Sequence, residues 1–234
     1  TRHKFSNAEA RKPYACASCH LGPDHPNIEI YENSKHGHVF KTEGHTWNFD
    51  GSPEEWQPGE DYRAPTCASC HMSQVGELNM THNVSERLYW VQWSKMSPVR
   101  GSEDVMSPKL GNGPEGRKKM RQVCEACHSE DHTNGFFTQA DKAVNLYNEA
   151  YYAPALKMLN ELKAKKLLRD NPWTDPFQVK YYFLWHHEGR RALMGATHGA
   201  PDYAHWHGFF ELMQDLYELE KIYKKRMDSG EIED

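Results

Sequence analysis

Three strings of one form constrain this chain more than anything else in it: Cys16-Ala17-Ser18-Cys19-His20, Cys67-Ala68-Ser69-Cys70-His71 and Cys124-Glu125-Ala126-Cys127-His128. They use all six cysteines, so none is left for a structural disulfide. A zinc ribbon pairs two CxxC knuckles and does not need a histidine directly after the second cysteine. A thioredoxin-like CxxC stands once, beside a βαβ pattern that is not visible here. In Cys-x-x-Cys-His, two thioethers clamp the porphyrin vinyls and the adjacent histidine is held close enough to ligate the iron. Three such strings imply three covalently bound c-type haems. Cys16, Cys19, Cys67, Cys70, Cys124 and Cys127 are then the attachment points, with His20, His71 and His128 as axial ligands.

Composition agrees with an interior filled by cofactors. Apolar residues make up 38% of 234, and the mean hydropathy is −0.90, low for a self-sufficient core of that size. Porphyrins supply the missing apolar surface. The formal charge is −5 with no basic tract, which argues against a nucleic-acid partner. The longest apolar run is far short of a membrane span, and no charged-then-apolar leader opens the sequence. Thr1-Arg2-His3-Lys4-Phe5 reads as mid-domain sequence. Covalent haem attachment implies a periplasm or an equivalent extracytoplasmic lumen.

The chain is expected to be mainly α, divided near residue 135. Residues 1–135 carry the motifs and turn pairs such as Gly22-Pro23, Pro58-Gly59 and Gly113-Pro114, a loop-rich region wrapped on haems. Residues 136–234 should form a bundle of long helices. Phe136, Phe137, Ala140, Val144, Tyr147 and Tyr151 recur at helical steps, and Leu156, Leu159 and Leu162 resume after Pro154. A second helix should start at Asp175-Pro176, an N-cap followed by proline at the first helical position, and run towards Gly195 or Gly199. A third should start near Pro201-Asp202, with a charged tail from Glu218 that frays.

Histidine is in excess: fifteen, of which three belong to the motifs. Methionine can also be a sixth ligand, but so many spare imidazoles favour bis-histidine iron, the low-potential form that suits an electron wire. His3, His36 and His82 are the preferred distal candidates because each lies near a motif in the loop-rich half. His187 and His207, on the later helices, come next.

Longer strings around the motifs resemble the octahaem hydroxylamine oxidoreductase family. They are His20-Leu21-Gly22-Pro23-Asp24-His25-Pro26, Glu29 to Gly37, Ala64 to Ser73, Met80-Thr81-His82-Asn83-Val84, and Asp202-Tyr203-Ala204-His205-Trp206-His207-Gly208. The resemblance implies the C-terminal part of such an enzyme, carrying the last three of eight haems. It implies oxidation of hydroxylamine or hydrazine at a modified haem whose own motif lies upstream. Electrons would pass through the other haems to a soluble or membrane cytochrome. It places Asp24 and His25 in the catalytic pocket, where an acid beside an imidazole can take up protons. It makes Tyr203 the residue that crosslinks to the catalytic porphyrin of a neighbouring subunit in a homotrimer.

Two alternatives stand beside this reading. One is a reductive relative that converts nitrite or hydroxylamine towards ammonia, a branch that generally lacks the crosslinking tyrosine. The other is a pure electron-transfer trihaem cytochrome, with six-coordinate iron throughout and no use for Asp24 or His25.

Overall fold

The computed structural model describes residues 5–88 and 113–232. Among them all regular structure is helical, apart from two isolated bridges, Pro58 to Tyr62 and Val75 to Leu78. The motif-bearing part is built of short helices: α1 (Asn7–Arg11), α2 (Tyr14–Ala17), α3 (Asn27–Asn33), α4 (Lys35–Glu43) and α5 (Cys67–His71). Arg11 holds the loop after α4, donating to the carbonyls of Phe49, Gly51 and Ser52 at 2.7, 2.8 and 3.2 Å while its guanidinium lies 4.5 Å over Trp56. Phe49, Trp56 and Tyr62 form a small aromatic core beneath it.

The middle motif is itself a helix. Thr66 caps α5 in a reciprocal box with Ser69, so the first turn has its own partners for the orphan N–H groups. At the other end, buried Arg87 donates to the carbonyls of Cys70, Ser73 and Asn79 at 3.0, 2.7 and 3.0 Å. One side chain thus satisfies carbonyls that would otherwise lie buried without donors.

Long helices follow. Helix α6 (Gly113–Glu125) delivers Cys124, and α7 (Glu130–Leu146), capped by Ser129, starts just past His128. Helix α7 therefore runs through residue 136, where the sequence suggests a boundary. At Tyr147–Tyr152 the chain widens into a π turn and continues as α8 (Ala153–Ala164), with Pro154 in the first turn, where its missing N–H costs nothing. The expected start at Asp175-Pro176 is observed: Asp175 accepts from the N–H groups of Phe177 and Gln178. From there α9 (Pro176–Phe183), a π turn (Leu184–Glu188) and α10 (Gly189–Thr197) form one rod. The last rod is α11 (Pro201–Ala204), a π turn (His205–Phe209) and α12 (Phe210–Ser229).

The bundle core is Val144, Tyr147, Phe177, Tyr181, Leu184, Leu212 and Leu219, with their neighbours. The two last rods cross where side chains are absent. A Cβ on Gly208 would lie 2.5 Å from the Ala192 Cα, and one on Gly195 2.8 Å from the Ala204 nitrogen. The tail does not fray as the sequence suggests. Helix α12 stays intact to Ser229 because Arg226, fully buried, reaches Asp175 at 3.0 Å and the Leu167 carbonyl at 3.0 Å.

Candidate functional site

The three Cys-x-x-Cys-His strings lie at helix ends. Cys16 is in α2, with Cys19 and His20 just beyond it; the second string is α5; Cys124 is in the last turn of α6, with Cys127 and His128 in the link to α7. All six thiols are free. Cys16 and Cys67 share a side-chain hydrogen bond, which holds the Cys16 thiol down to about 6 and pushes that of Cys67 up. Cys70 is pushed up to about 12, by burial first and then by Cys124. Cys70 and Cys124 pack on one apolar cluster with Val75, Met120, Val123 and Phe137. The middle string therefore meets the first through one cysteine and the third through the other.

Two motif histidines face a second imidazole. The rings of His36 and His128 have centres 6.1 Å apart and planes inclined by 40°. Those of His71 and His198 are 6.4 Å apart, inclined by 35°. Two imidazoles that each give one nitrogen to the same iron, at about 2 Å per bond, have centres roughly 6.3 Å apart. Ordinary ring stacking is much closer, as His128 and His132 demonstrate at 4.3 Å and 15°. Both pairs thus fit a shared iron.

The surroundings keep these imidazoles in the neutral form that ligates metal. Burial lowers His36, with His128 and His132 adding to it. Burial takes His71 down to about 4, helped by His198 and Arg87, and lowers His198 as well. The Nδ1 of His198 hydrogen-bonds the Met194 carbonyl at 2.8 Å, and that of His20 lies 3.4 Å from Asn27 Oδ1.

The remaining candidates fall elsewhere. His3 lies outside the described residues. His82 is exposed on the loop after Met80. His207 lies beside Glu211, with Nδ1 3.6 Å from its carboxylate, and its ring centre is 4.8 Å from that of Tyr203. His187 meets Asp24 instead of a motif histidine, with Nε2 2.8 Å from Oδ1, and His186 Nδ1 is 3.3 Å from the same oxygen. These three side chains form a convergent donor set. Burial lowers both imidazoles, with Asp24 opposing the shift. His25 is near enough to depress His186 further. The π turn over Leu184–Glu188 lets two consecutive histidines face one carboxylate, which a regular helical turn separates by about 100°.

Tyr203 opens α11 and lines a surface groove of about 420 Å³ with Asp202, Trp206, His207 and Phe210. Burial raises its phenol. The sequence reading missed His198, His186 and His132. His198 carries a signal only in hindsight, as the histidine at a helix end marked by Gly199-Ala200-Pro201; His186 and His132 carry none.

Known proteins resemble this chain in sequence and fold. A family model described as seven-times multi-haem cytochrome CxxCH covers residues 1–170. A Kuenenia stuttgartiensis protein described as a "probable nitrite reductase-hydroxylamine oxidoreductase fusion protein" is 39% identical over 145 residues, covering 55% of this chain and 17% of its own length. A solved structure titled hypothetical multiheme protein superposes with a TM-score of 0.81 at 20% identity, over 98% of this chain and 57% of its own. A reducing HAO-like protein complex from Kuenenia stuttgartiensis gives 0.80 at 23% identity, over 98% and 59%. The chain thus spans under two thirds of each of these relatives and shares the fold of the HAO-like multihaem cytochromes. With free paired cysteines, adjacent histidines and imidazoles at iron-sharing distance, it belongs to the multi-haem cytochrome CxxCH family and carries covalently bound haem c.

Proposed function

We propose that this chain is the C-terminal part of an octahaem enzyme that oxidises hydroxylamine or hydrazine, and that its three motifs each hold one haem c. The observation that carries the reading is the meeting of Asp24 with His186 and His187, beside His25 and outside any motif. A pure electron-transfer cytochrome has no use for such a group. Oxidising an N–H bond releases a proton for each electron removed, so the site needs acceptors that stay unprotonated until used. Asp24 takes the proton from the nitrogen, and His187 receives it at 2.8 Å. The bound haems supply one-electron acceptance and relay, and this chain's part is to hold their irons and clear the protons. His36 and His128 ligate the iron of the third motif. The upstream chain brings the modified haem, and Tyr203 ties it to a neighbouring subunit in a trimer. A soluble or membrane cytochrome outside the cytoplasm takes the electrons.

The test is hydroxylamine-dependent reduction of a cytochrome c acceptor by the full-length protein. Asp24→Asn should lower kcat by about 10²- to 10⁴-fold with haem content unchanged. Unchanged turnover removes Asp24 from the chemistry. Activity seen only with nitrite and a reductant favours the reductive relative.

A further inference from the structure

Asp24 stands in a loop with little freedom. Pro23 and Pro26 flank it, and Gly22 turns at φ +84° with its N–H on Glu29 Oε1 at 3.0 Å. Opposite, the π turn Leu184–Glu188 presents His186 and His187 together. Neighbouring rings hold both imidazoles in place. Tyr182 stacks on His186 at 4.4 Å and 20°, Trp185 packs against it at 5.1 Å and 87°, and Phe183 lies 4.9 Å from His187. His186 Nδ1 is buried and stands 3.3 Å from Asp24 Oδ1, yet among the described residues it makes no hydrogen bond. Polar atoms that approach without bonding one another are placed as co-ligands are. Two ligand atoms each about 2.05 Å from one tetrahedral zinc lie ~3.3 Å apart. Asp24 Oδ1 is 3.3 Å from His186 Nδ1 and 2.8 Å from His187 Nε2, and the three atoms lie within 4.8 Å of one another. Only His187 has to draw back, by ~0.5 Å. Two imidazoles and a carboxylate suit a borderline divalent cation and leave a fourth position for water. Arg190 and Arg191 are near enough to depress the imidazoles, so they oppose a permanently held ion.

We propose that Asp24, His186 and His187 bind a zinc-class divalent cation reversibly, and that the ion inhibits turnover by occupying the atoms that clear protons. The inhibition rests on the proton-clearing reading above; the site itself does not. The same lone pairs serve a proton or a metal, and an ion that fills them leaves Asp24 unable to accept from substrate nitrogen.

The experiment uses the full-length holoprotein and zinc ion alone, with His186→Ala, His187→Ala and, as a control at an exposed position, His45→Ala. Zinc is counted per chain after equilibrium dialysis, and X-ray absorption at the zinc edge reports its ligands. Loss of an outer-shell partner costs 10–100-fold in metal affinity, so each ligand variant should weaken one zinc by at least about 100-fold. His45→Ala should match the unmodified protein. The absorption should show two imidazoles and a light oxygen shell at ~2.0–2.1 Å. Zinc retained at full affinity by both ligand variants is adventitious and sinks the site. A variant that turns a haem high-spin gives its imidazole to an iron and overturns the assignment too. Should the variants fail to mature, fewer than two imidazoles around the zinc of the unmodified protein do the same. In the activity assay, hydroxylamine-dependent reduction of cytochrome c should fall in step with zinc occupancy and return on chelation. Turnover unchanged with the site filled overturns the inhibition. Absence of turnover before zinc is added counts against the hydroxylamine reading instead, and the binding and absorption results then decide the site.

Discussion

His36 and His132 both approach His128, but at different distances. His132 lies nearly parallel to it at 4.3 Å, too close to be the ligand opposite it on a haem iron, while His36 stands at 6.1 Å. His36→Ala should therefore turn one haem high-spin in the ferric absorption and resonance spectra, and His132 should not substitute for it. An unchanged spectrum would exclude His36 as a ligand. The Cys-x-x-Cys-His strings and the haem c they imply were legible because that chemistry is local, confined to five consecutive residues. The distal side is not. His36 suggested itself by nearness to a motif, yet it faces the third motif and not the first, which lies nearer in sequence. His187 looked like a ligand candidate by residue type, and a π turn, invisible in the hydrophobic period, aims it at Asp24.

At the level of elements, a fully buried ion pair ties the start of one rod to the end of another. Asp175 caps α9, accepts from the Arg169 N–H at 2.8 Å and meets Arg226 of α12 with both side chains fully buried. Removing one partner leaves a buried charge, so Arg226→Ala should destabilise by about 3–5 kcal/mol in thermal or denaturant unfolding. Asp175→Asn with Arg226→Met should recover much of that loss. Burial by itself pushes the Asp175 carboxyl up, but the hydrogen bond from Arg226 and the Arg169 N–H outweigh it, and the net shift is down. Its stabilisation is then complete above the ordinary aspartate value of about 3.9 and is lost as pH falls through the lower folded value. Arg226→Ala should flatten that acid limb. The helix start at Asp175-Pro176 was legible because capping is local chemistry. The intact tail was not, because a charged run gives no hint that one of its arginines has a buried partner on another rod.

At the scale of the whole molecule, an apolar stripe lies uncovered among the described residues. Trp206, Phe210, Met213 and Tyr217 are 52%, 36%, 52% and 62% exposed, at the helical steps that put them on one face, next to Tyr203. Such a stripe fits the docking of a neighbouring subunit. In the full-length protein we expect trimers that survive boiling in denaturing gels, and Tyr203→Phe should yield monomers. Monomers from the unmodified protein would leave Tyr203 as a helix aromatic. A mainly helical chain with a loop-rich, motif-bearing part was readable from turn residues and helical periods. How the parts meet was not, since the crossing depends on Gly195 and Gly208, whose contribution is the absence of a side chain.

The hold of Arg87 on the end of α5 bears on biogenesis. Thioether formation needs each thiol brought to a porphyrin vinyl, which is easiest on an extended segment. Once Arg87 has gathered the carbonyls of Cys70, Ser73 and Asn79, the middle string is wound into a helix. Attachment at Cys67 and Cys70 is therefore expected to precede closure by Arg87, so that cofactor loading and folding run in order.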